Sequence, residues 1–182
     1  MKVLLDTCVL YPTVMREVLL GVASTGAFTP LWSARILEEW RRAARKLGPQ
    51  GMAQAESEIA RLRIDWPCAE VPAAPGLEAR LWLPDPSDVH VLAAAVSGSA
   101  DVILTLNAQD FPRGTLAEEG LSRADPDGFL LGHFQARPEL VTSVCDRVLA
   151  EARRLSGEPW EMRPLLKKAK LPRLAKAVSA VV

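Results

Sequence analysis

The chain alternates between short apolar runs and segments in which apolar residues recur every three or four positions. The apolar runs predict strands at residues 2–5, 27–32, 68–71, 102–106 and 121–124. The periodic segments predict helices, and the clearest of them begin near Pro12, Ser33, Met52 and Ser87. Strands that alternate with helices are typical of a parallel sheet, so the pattern predicts an α/β protein.

Two stretches depart from this alternation. Residues 72–86 are rich in proline and are predicted to be mostly loop. After Pro126 the pattern is wholly helical, and a break at residues 136–138 interrupts it. We therefore predict an α/β domain at residues 1–135 and a helical C-terminal extension at residues 136–182.

Side chains that can bind a metal through oxygen follow two of the predicted strands. Asp6 comes directly after the first strand and Asn107 after the fourth. The carboxyl ends of parallel strands meet at one edge of a sheet, where the functional crevice of such proteins lies. Further acids lie on the predicted helices and in the turn after Asn107, at Glu38, Glu39, Asp85, Asp88 and Asp110. Carboxylates of this kind suit Mg²⁺ or Mn²⁺.

Each of these acids also has a purely structural interpretation. Asp6 and Asp110 can close turns. Asp85 and Asp88 can stabilise the start of a helix, and Glu39 can lie on a solvated helix face. For Asp6 the functional interpretation is favoured, because a carboxylate directly after a buried run is costly without a partner.

The composition narrows the class of protein. Hydrophobic residues make up 49% of the 182 residues, enough for a buried core and too many for a disordered chain. No stretch approaches the roughly 20 apolar residues that span a bilayer, and the N-terminus does not resemble a signal peptide. Cys8, Cys68 and Cys145 are far apart and odd in number, which predicts free buried thiols. A cytoplasmic protein is the expectation.

Charge is unevenly distributed, although the formal net charge is zero. Residues 163–182 hold six basic residues and no acid, so residues 1–162 carry a charge of about −6. The basic tail can contact a polyanion, or it can be a solvated helix face. Further candidates for phosphate contacts are Arg16, Arg41, Arg42, Arg45 and Lys46. The last four also suit the negative end of the helix that carries them.

Four motifs, in order, resemble those of the PIN-domain ribonucleases and, among them, the VapC-like toxins of toxin–antitoxin pairs. LDTCVL at residues 5–10 resembles the opening motif LDTNVL, with Cys8 where Asn is usual. Residues 33–39 resemble the second motif, and its acid falls on Glu39. Residues 83–95 resemble the third, with Asp88 as the acid, and residues 100–111 the fourth, with Asn107 at a position commonly Asp or Asn.

The resemblance covers roughly residues 1–135 and implies a three-layer α/β/α PIN-like fold with a mainly parallel sheet of four to five strands. It implies a Mg²⁺- or Mn²⁺-dependent endoribonuclease whose catalytic residues are Asp6, Glu39, Asp88, Asn107 and Asp110. The metal ligands would be the four acids of that set. It also implies three partners: an RNA substrate, a cognate antitoxin protein and a second copy in a homodimer.

Other classes fit the sequence less well. A phosphatase with an aspartyl nucleophile would usually need a second Asp two residues after Asp6, where Cys8 stands. A dinucleotide enzyme would need a glycine-rich turn after the first strand. The stronger alternative is a non-catalytic PIN-like module that binds RNA or protein. The neutral Asn107 favours that alternative, and the three retained acids at positions 6, 39 and 88 oppose it.

Overall fold

The sheet of this protein has five strands in a computed structural model that describes residues 1–180. The strands are β1 (Lys2–Leu5), β2 (Thr29–Ser33), β3 (Glu70–Val71), β4 (Val102–Leu104) and β5 (Ser122–Ala124). Their order is β3-β2-β1-β4-β5. Strand β1 pairs in parallel with β2 and β4, and β2 pairs in parallel with β3. The predicted α/β fold with a parallel, helix-flanked sheet is confirmed.

Helices account for most of the remaining residues within 1–180. They are α1 (Thr7–Leu10), α2 (Thr13–Ala23), α3 (Ala34–Ala44), α4 (Gly48–Asp65), α5 (Pro75–Arg80), α6 (Val89–Ser97), α7 (Arg113–Glu118), α8 (Pro126–Ala136), α9 (Pro138–Ser156), α10 (Met162–Lys168) and α11 (Pro172–Val178). Two 3₁₀ turns cover Arg45–Leu47 and Pro86–Asp88. No helix of the described chain is long and apolar enough to cross a membrane. Residues 181 and 182 of the predicted extension lie outside the described residues.

The chain forms two compact units. The first comprises Met1–Cys8 and Thr29–Arg123, and it holds strands β1 to β4 with helices α3 to α7. The second comprises Val9–Phe28 and Ala124–Val182. Within the first unit α6 packs against β1, β2 and β4, and within the second α11 packs against α8 and α10. The predicted boundary at residues 135–136 falls between α8 and α9 and stays a prediction.

Strand β1 carries the first predicted ligand to the edge of the sheet. The side chains of Val3, Leu4 and Leu5 have no exposed surface, as expected for a strand with neighbours on both sides and cover on both faces. The Asp6 N–H donates to the carbonyl of Leu104 at 3.1 Å, which carries the pairing one residue beyond β1. Asp6 therefore lies at the carboxyl end of the middle strand.

Strand β4 ends two residues earlier than its apolar run predicts. The predicted strand reaches residue 106, whereas the observed one stops at Leu104. Beyond it, the Leu106 N–H donates to Cys8 Sγ at 3.2 Å, and the Asn107 N–H donates to the hydroxyl of Thr105 at 2.9 Å. Side chains at this edge of the sheet thus accept the backbone N–H groups that would pair with another strand if β4 were longer.

Two short helices and one cysteine differ from the prediction. Helix α5 lies inside the proline-rich stretch that was predicted to be loop, because Pro75 occupies its first turn, where no N–H is needed. Helix α1 begins directly after Asp6 and was not predicted. Cys68 is exposed, so the prediction of buried thiols is wrong for this residue, although all three cysteines are free.

Candidate metal centre

Asp6 is held in one orientation by two side-chain donors. It is 9% exposed, and its Oδ2 accepts a hydrogen bond from Thr105 Oγ1 at 2.7 Å and another from Cys8 Sγ at 3.0 Å. Burial, together with the charge of Asp6, raises the pKa of the Cys8 thiol to about 12. The thiol therefore keeps its proton and remains a donor to the Asp6 carboxylate. Cys8 thus serves as a support for Asp6.

Glu39 reaches the same edge from α3. Its Oε2 accepts a hydrogen bond from Thr7 Oγ1 at 2.8 Å, and His90 Nε2 lies 2.8 Å from its Oε1. Partial burial opposes ionisation, but the hydrogen bonds from His90 and Thr7 outweigh it and lower the pKa of Glu39. Ser33 starts this helix by accepting the Ile36 N–H at 3.3 Å. The N-cap thereby fixes which face of α3 carries Glu39.

The hydroxyl of Thr7 contacts both a carboxylate and the backbone of α3. It bonds the Glu39 carboxylate and also lies 3.2 Å from the carbonyl of Ile36. His90 is 3% exposed, and its Nδ1 is buried without a hydrogen-bond partner among the described residues, whereas its Nε2 lies 2.8 Å from Glu39 Oε1. A proton on Nε2 suits this close approach.

Glu38 turns away from this group. It bonds Arg41 at 2.8 and 3.2 Å and Arg42 at 3.0 Å. These hydrogen bonds lower the pKa of Glu38 to about 2. The arrangement agrees with the choice of Glu39 as the acid of the second motif. It also shows that Arg41 and Arg42, two of the candidate phosphate contacts, are engaged by Glu38.

Three further carboxylates meet at the start of α6. Asp85, Asp88 and Asp110 each place an oxygen within 4.8 Å of the other two. Asp85 has the structural role expected of it, because its Oδ1 accepts the Ser87 N–H at 2.8 Å and the Ser87 hydroxyl at 2.7 Å. Asp110 accepts a hydrogen bond from the side-chain amide of Asn107. Asn107 therefore orients Asp110 in this structure.

Asp88 is the carboxyl on which these charges converge. Burial, followed by the negative charges of Asp6, Asp85, Asp110 and Glu39, raises its pKa to about 6. Its side chain makes no capping hydrogen bond to α6, so no such bond offsets the repulsion. An oxygen-only donor set with this much negative charge fits a hard divalent cation. The residues present therefore fit a magnesium or manganese ion.

The structure brings the predicted acids into one electrostatic group, since Asp6, Glu39 and Asp110 all act on Asp88. The sequence interpretation did not find the supports Thr105 and His90. Thr105 lay inside a predicted strand, where its hydroxyl carried no signal. His90 carried no signal because its partner Glu39 is distant in sequence, although His90 stands two residues after Asp88.

One of the candidate phosphate contacts lies away from solvent. Arg16 is 3% exposed, and its Nη1 donates to the carbonyl of Leu10 at 2.7 Å. That contact satisfies a carbonyl acceptor at the end of α1, so Arg16 has a structural role in the second unit.

The fold and the carboxylate group define an α/β protein with an all-oxygen site at the carboxyl edge of its parallel sheet. The sequence profile of the PIN domain matches residues 2–109, more than half of the chain, and the chain belongs to the PIN domain family. PIN domains are generally nucleases. No curated protein and no solved structure matches the chain significantly.

Proposed function

We propose that this protein is a metal-dependent endoribonuclease and the toxin of a toxin–antitoxin pair. The observation that carries the proposal is the meeting of Asp85, Asp88 and Asp110 within 4.8 Å, at a point where the charges of Asp6 and Glu39 also act on Asp88. Carboxylates gathered this closely repel one another, and a bound divalent cation would relieve that repulsion. Membership in the PIN domain family supports a nuclease as the enzyme that uses this cation.

The residues proposed to hold the metal are Asp6, Glu39, Asp88 and Asp110. A bound divalent ion would supply a water of lowered pKa and would offset negative charge on the phosphoryl group. Asp6 presents one fixed face, because Thr105 and Cys8 occupy its Oδ2. Glu39 is restrained in the same manner from α3.

Asn107 leaves one position of the group neutral, and Asp110 supplies the charge that it lacks. The amide of Asn107 donates to Oδ2 of Asp110, which leaves Oδ1 of Asp110 available to a metal ion. Asp110 also lies with Asp85 and Asp88. We therefore propose Asp110 as a ligand and Asn107 as the residue that positions it.

Cleavage of RNA by the purified protein tests the enzymatic part. We expect cleavage of a labelled RNA in Mg²⁺ or Mn²⁺, loss of cleavage in EDTA, and its return when Mn²⁺ is added in excess. The alternative is a non-catalytic binding module, which the neutral Asn107 favours. RNA that is bound but left intact at every metal concentration would establish that alternative.

Growth during expression tests the toxin part. Wild-type protein is expected to arrest growth, and Asp6→Asn is expected to relieve the arrest because it removes one charge from the metal centre. Equal toxicity of the two proteins would exclude Asp6 from catalysis.

The proposed partners are RNA, an antitoxin that occupies the acidic group, and a second copy in a cytoplasmic homodimer. A short upstream reading frame for a DNA-binding antitoxin would support this role.

His90 is expected to act as a positioning residue for Glu39. Replacing it with leucine removes the donor at 2.8 Å, and we expect Mn²⁺ to bind about 10- to 100-fold more weakly, as is usual when support for a metal ligand is lost. His90→Gln retains an amide donor and should recover part of the affinity. Calorimetric titration with Mn²⁺ measures both. His133→Leu is the control, and an unchanged affinity in His90→Leu would contradict this role.

A further inference from the structure

Helices α10 and α11 expose a set of positive charges with no acid among them. Six basic residues lie between positions 163 and 176, and all are exposed: Arg163, Lys167, Lys168, Lys170, Arg173 and Lys176. The leucines of the same two helices are buried in their unit, together with Ala175 and Val178. The outward surface of α10, the turn and α11, which we call the basic surface, therefore carries only positive charges.

Most of these charges have no counter-ion within the described chain. Arg173 is engaged, with its Nη2 2.5 Å from Asp125 and its Nε 3.0 Å from Asp127. Lys168 lies over the ring of Trp160 at 4.7 Å. Among residues 1–180, no ion pair or hydrogen bond engages the side-chain amine of Lys167, Lys170 or Lys176. Three exposed cations of the basic surface thus lack a partner within residues 1–180, which favours an external anion.

Lys170 occupies a backbone conformation that favours glycine. Its φ is +60° in the turn between α10 and α11. A residue with a Cβ costs about 1 kcal/mol in this region. Glycine would remove that cost, and it would also remove the charge at the centre of the basic surface. A lysine at this position therefore suits a role for its amine.

We propose that the basic surface, which belongs to the second unit, binds the phosphate backbone of RNA. Unpaired lysines bind phosphates by releasing condensed counter-ions, without reading the base sequence. A lipid surface fits less well, because interfacial helices expose large apolar side chains. The large apolar residues that are exposed in the described chain lie elsewhere, at positions 1, 47, 64, 82 and 155. Only the choice of RNA rests on the proposed function.

The salt dependence of binding tests this proposal in a protein that does not cleave. Asp88→Asn protein is titrated onto a labelled single-stranded RNA over a series of KCl concentrations, with fluorescence anisotropy as the readout. Each lost phosphate contact lowers the slope of log Kd against log salt by about 0.7. Adding Lys167→Gln, Lys170→Gln and Lys176→Gln should therefore lower the slope by about 2 and weaken binding ~10- to 100-fold at low salt.

A second triple variant controls for net charge alone. Arg61→Gln, Arg137→Gln and Arg147→Gln remove three exposed charges outside the basic surface. This control should nearly retain the original slope, and equal slopes in the two triple variants would overturn the proposal. The proposal would also be overturned if the triple variant of the basic surface lost binding to phosphatidylserine vesicles while its RNA binding stayed unchanged. Failure of the wild type to cleave RNA would overturn the proposed function and leave this test valid.

The single variant Lys170→Gly separates binding from folding. It should melt no lower than its parent, since it relieves the positive φ, and it should still weaken RNA binding with a slope reduced by about 0.7. Ser99→Gly, at the other positive φ of a residue with a side chain (φ +52°), is the matched control and should leave the slope unchanged. A Lys170→Gly protein with unaltered RNA binding would contradict a role for this amine.

Discussion

Asp88→Asn is expected to lose RNA cleavage and to melt at a higher temperature than the wild type when metal is absent. The loss follows from removing a proposed metal ligand, which costs several kcal/mol of transition-state stabilisation, or about a thousand-fold in rate. The gain follows from removing one of five crowded charges.

The sign of the stability change comes from the pKa of Asp88, which is raised from 3.8 to about 6. The folded protein holds this proton to higher pH than the unfolded chain does, so the free energy of unfolding falls as pH rises between the two values. At neutral pH the full penalty is present, and Asp88→Asn removes it. We expect a gain of about 1 to 2 kcal/mol, allowing for the partial exposure of the carboxyl.

Thermal melting in EDTA and in Mn²⁺ measures this change. Without metal, Asp88→Asn should melt above the wild type near neutral pH, and the difference should vanish in acid. With Mn²⁺, the wild type should gain stability and the variant should gain little. Asp65→Asn is the control, because it removes an exposed carboxyl at the end of α4, and it should change neither the melting temperature in EDTA nor the stabilisation by Mn²⁺. A variant that melts below the wild type in EDTA would contradict the crowding argument.

Asp127→Ala is expected to destabilise the second unit by about 2 to 4 kcal/mol. Asp127 is 5% exposed in the first turn of α8, and it caps another helix. Its Oδ1 accepts the Leu174 N–H at 2.9 Å, and its Oδ2 accepts the Arg173 N–H at 2.9 Å and the Arg173 Nε at 3.0 Å. Alanine would leave the first N–H groups of α11 without an acceptor and a guanidinium short of one partner.

Urea unfolding followed by circular dichroism measures the effect. Asp127→Asn keeps one acceptor and should lose less stability than Asp127→Ala. Asp146→Ala, at an exposed position on α9, should stay within about 0.5 kcal/mol of the wild type. If Asp127→Ala unfolded at the same urea concentration as this control, the cap would contribute nothing to stability.

The sequence predicts the sheet well because buried parallel strands leave a strong local signal. Residues 2–5 are apolar and end at an acid, and the structure has β1 over those residues. Helix α5 was missed because a proline-rich stretch predicts loop, whereas Pro75 at a helix start is compatible with helix. The length of β4 depends on bonds to Cys8, which is distant in sequence, so no local pattern can predict it.

The candidate site shows the same division. Asp6 and Asp88 could be chosen from position and motif, because an unpaired acid directly after a buried strand is costly and Asp88 is the acid of the third motif. Thr105 and His90 could not, because their roles depend on distances to Asp6 and Glu39 that only the fold provides. Asn107 was expected to contact the metal or its water, and the structure gives its amide to Asp110.

The two edge strands of the sheet are very short, which bears on how another chain can associate. Strand β3 has two residues and β5 has three. A partner that added as an extra strand would gain backbone pairing along no more than these few residues, far less than the five or six of an average strand. Fibril-like stacking through the sheet is disfavoured for the same reason. Association through helical surfaces is the route that this architecture leaves open.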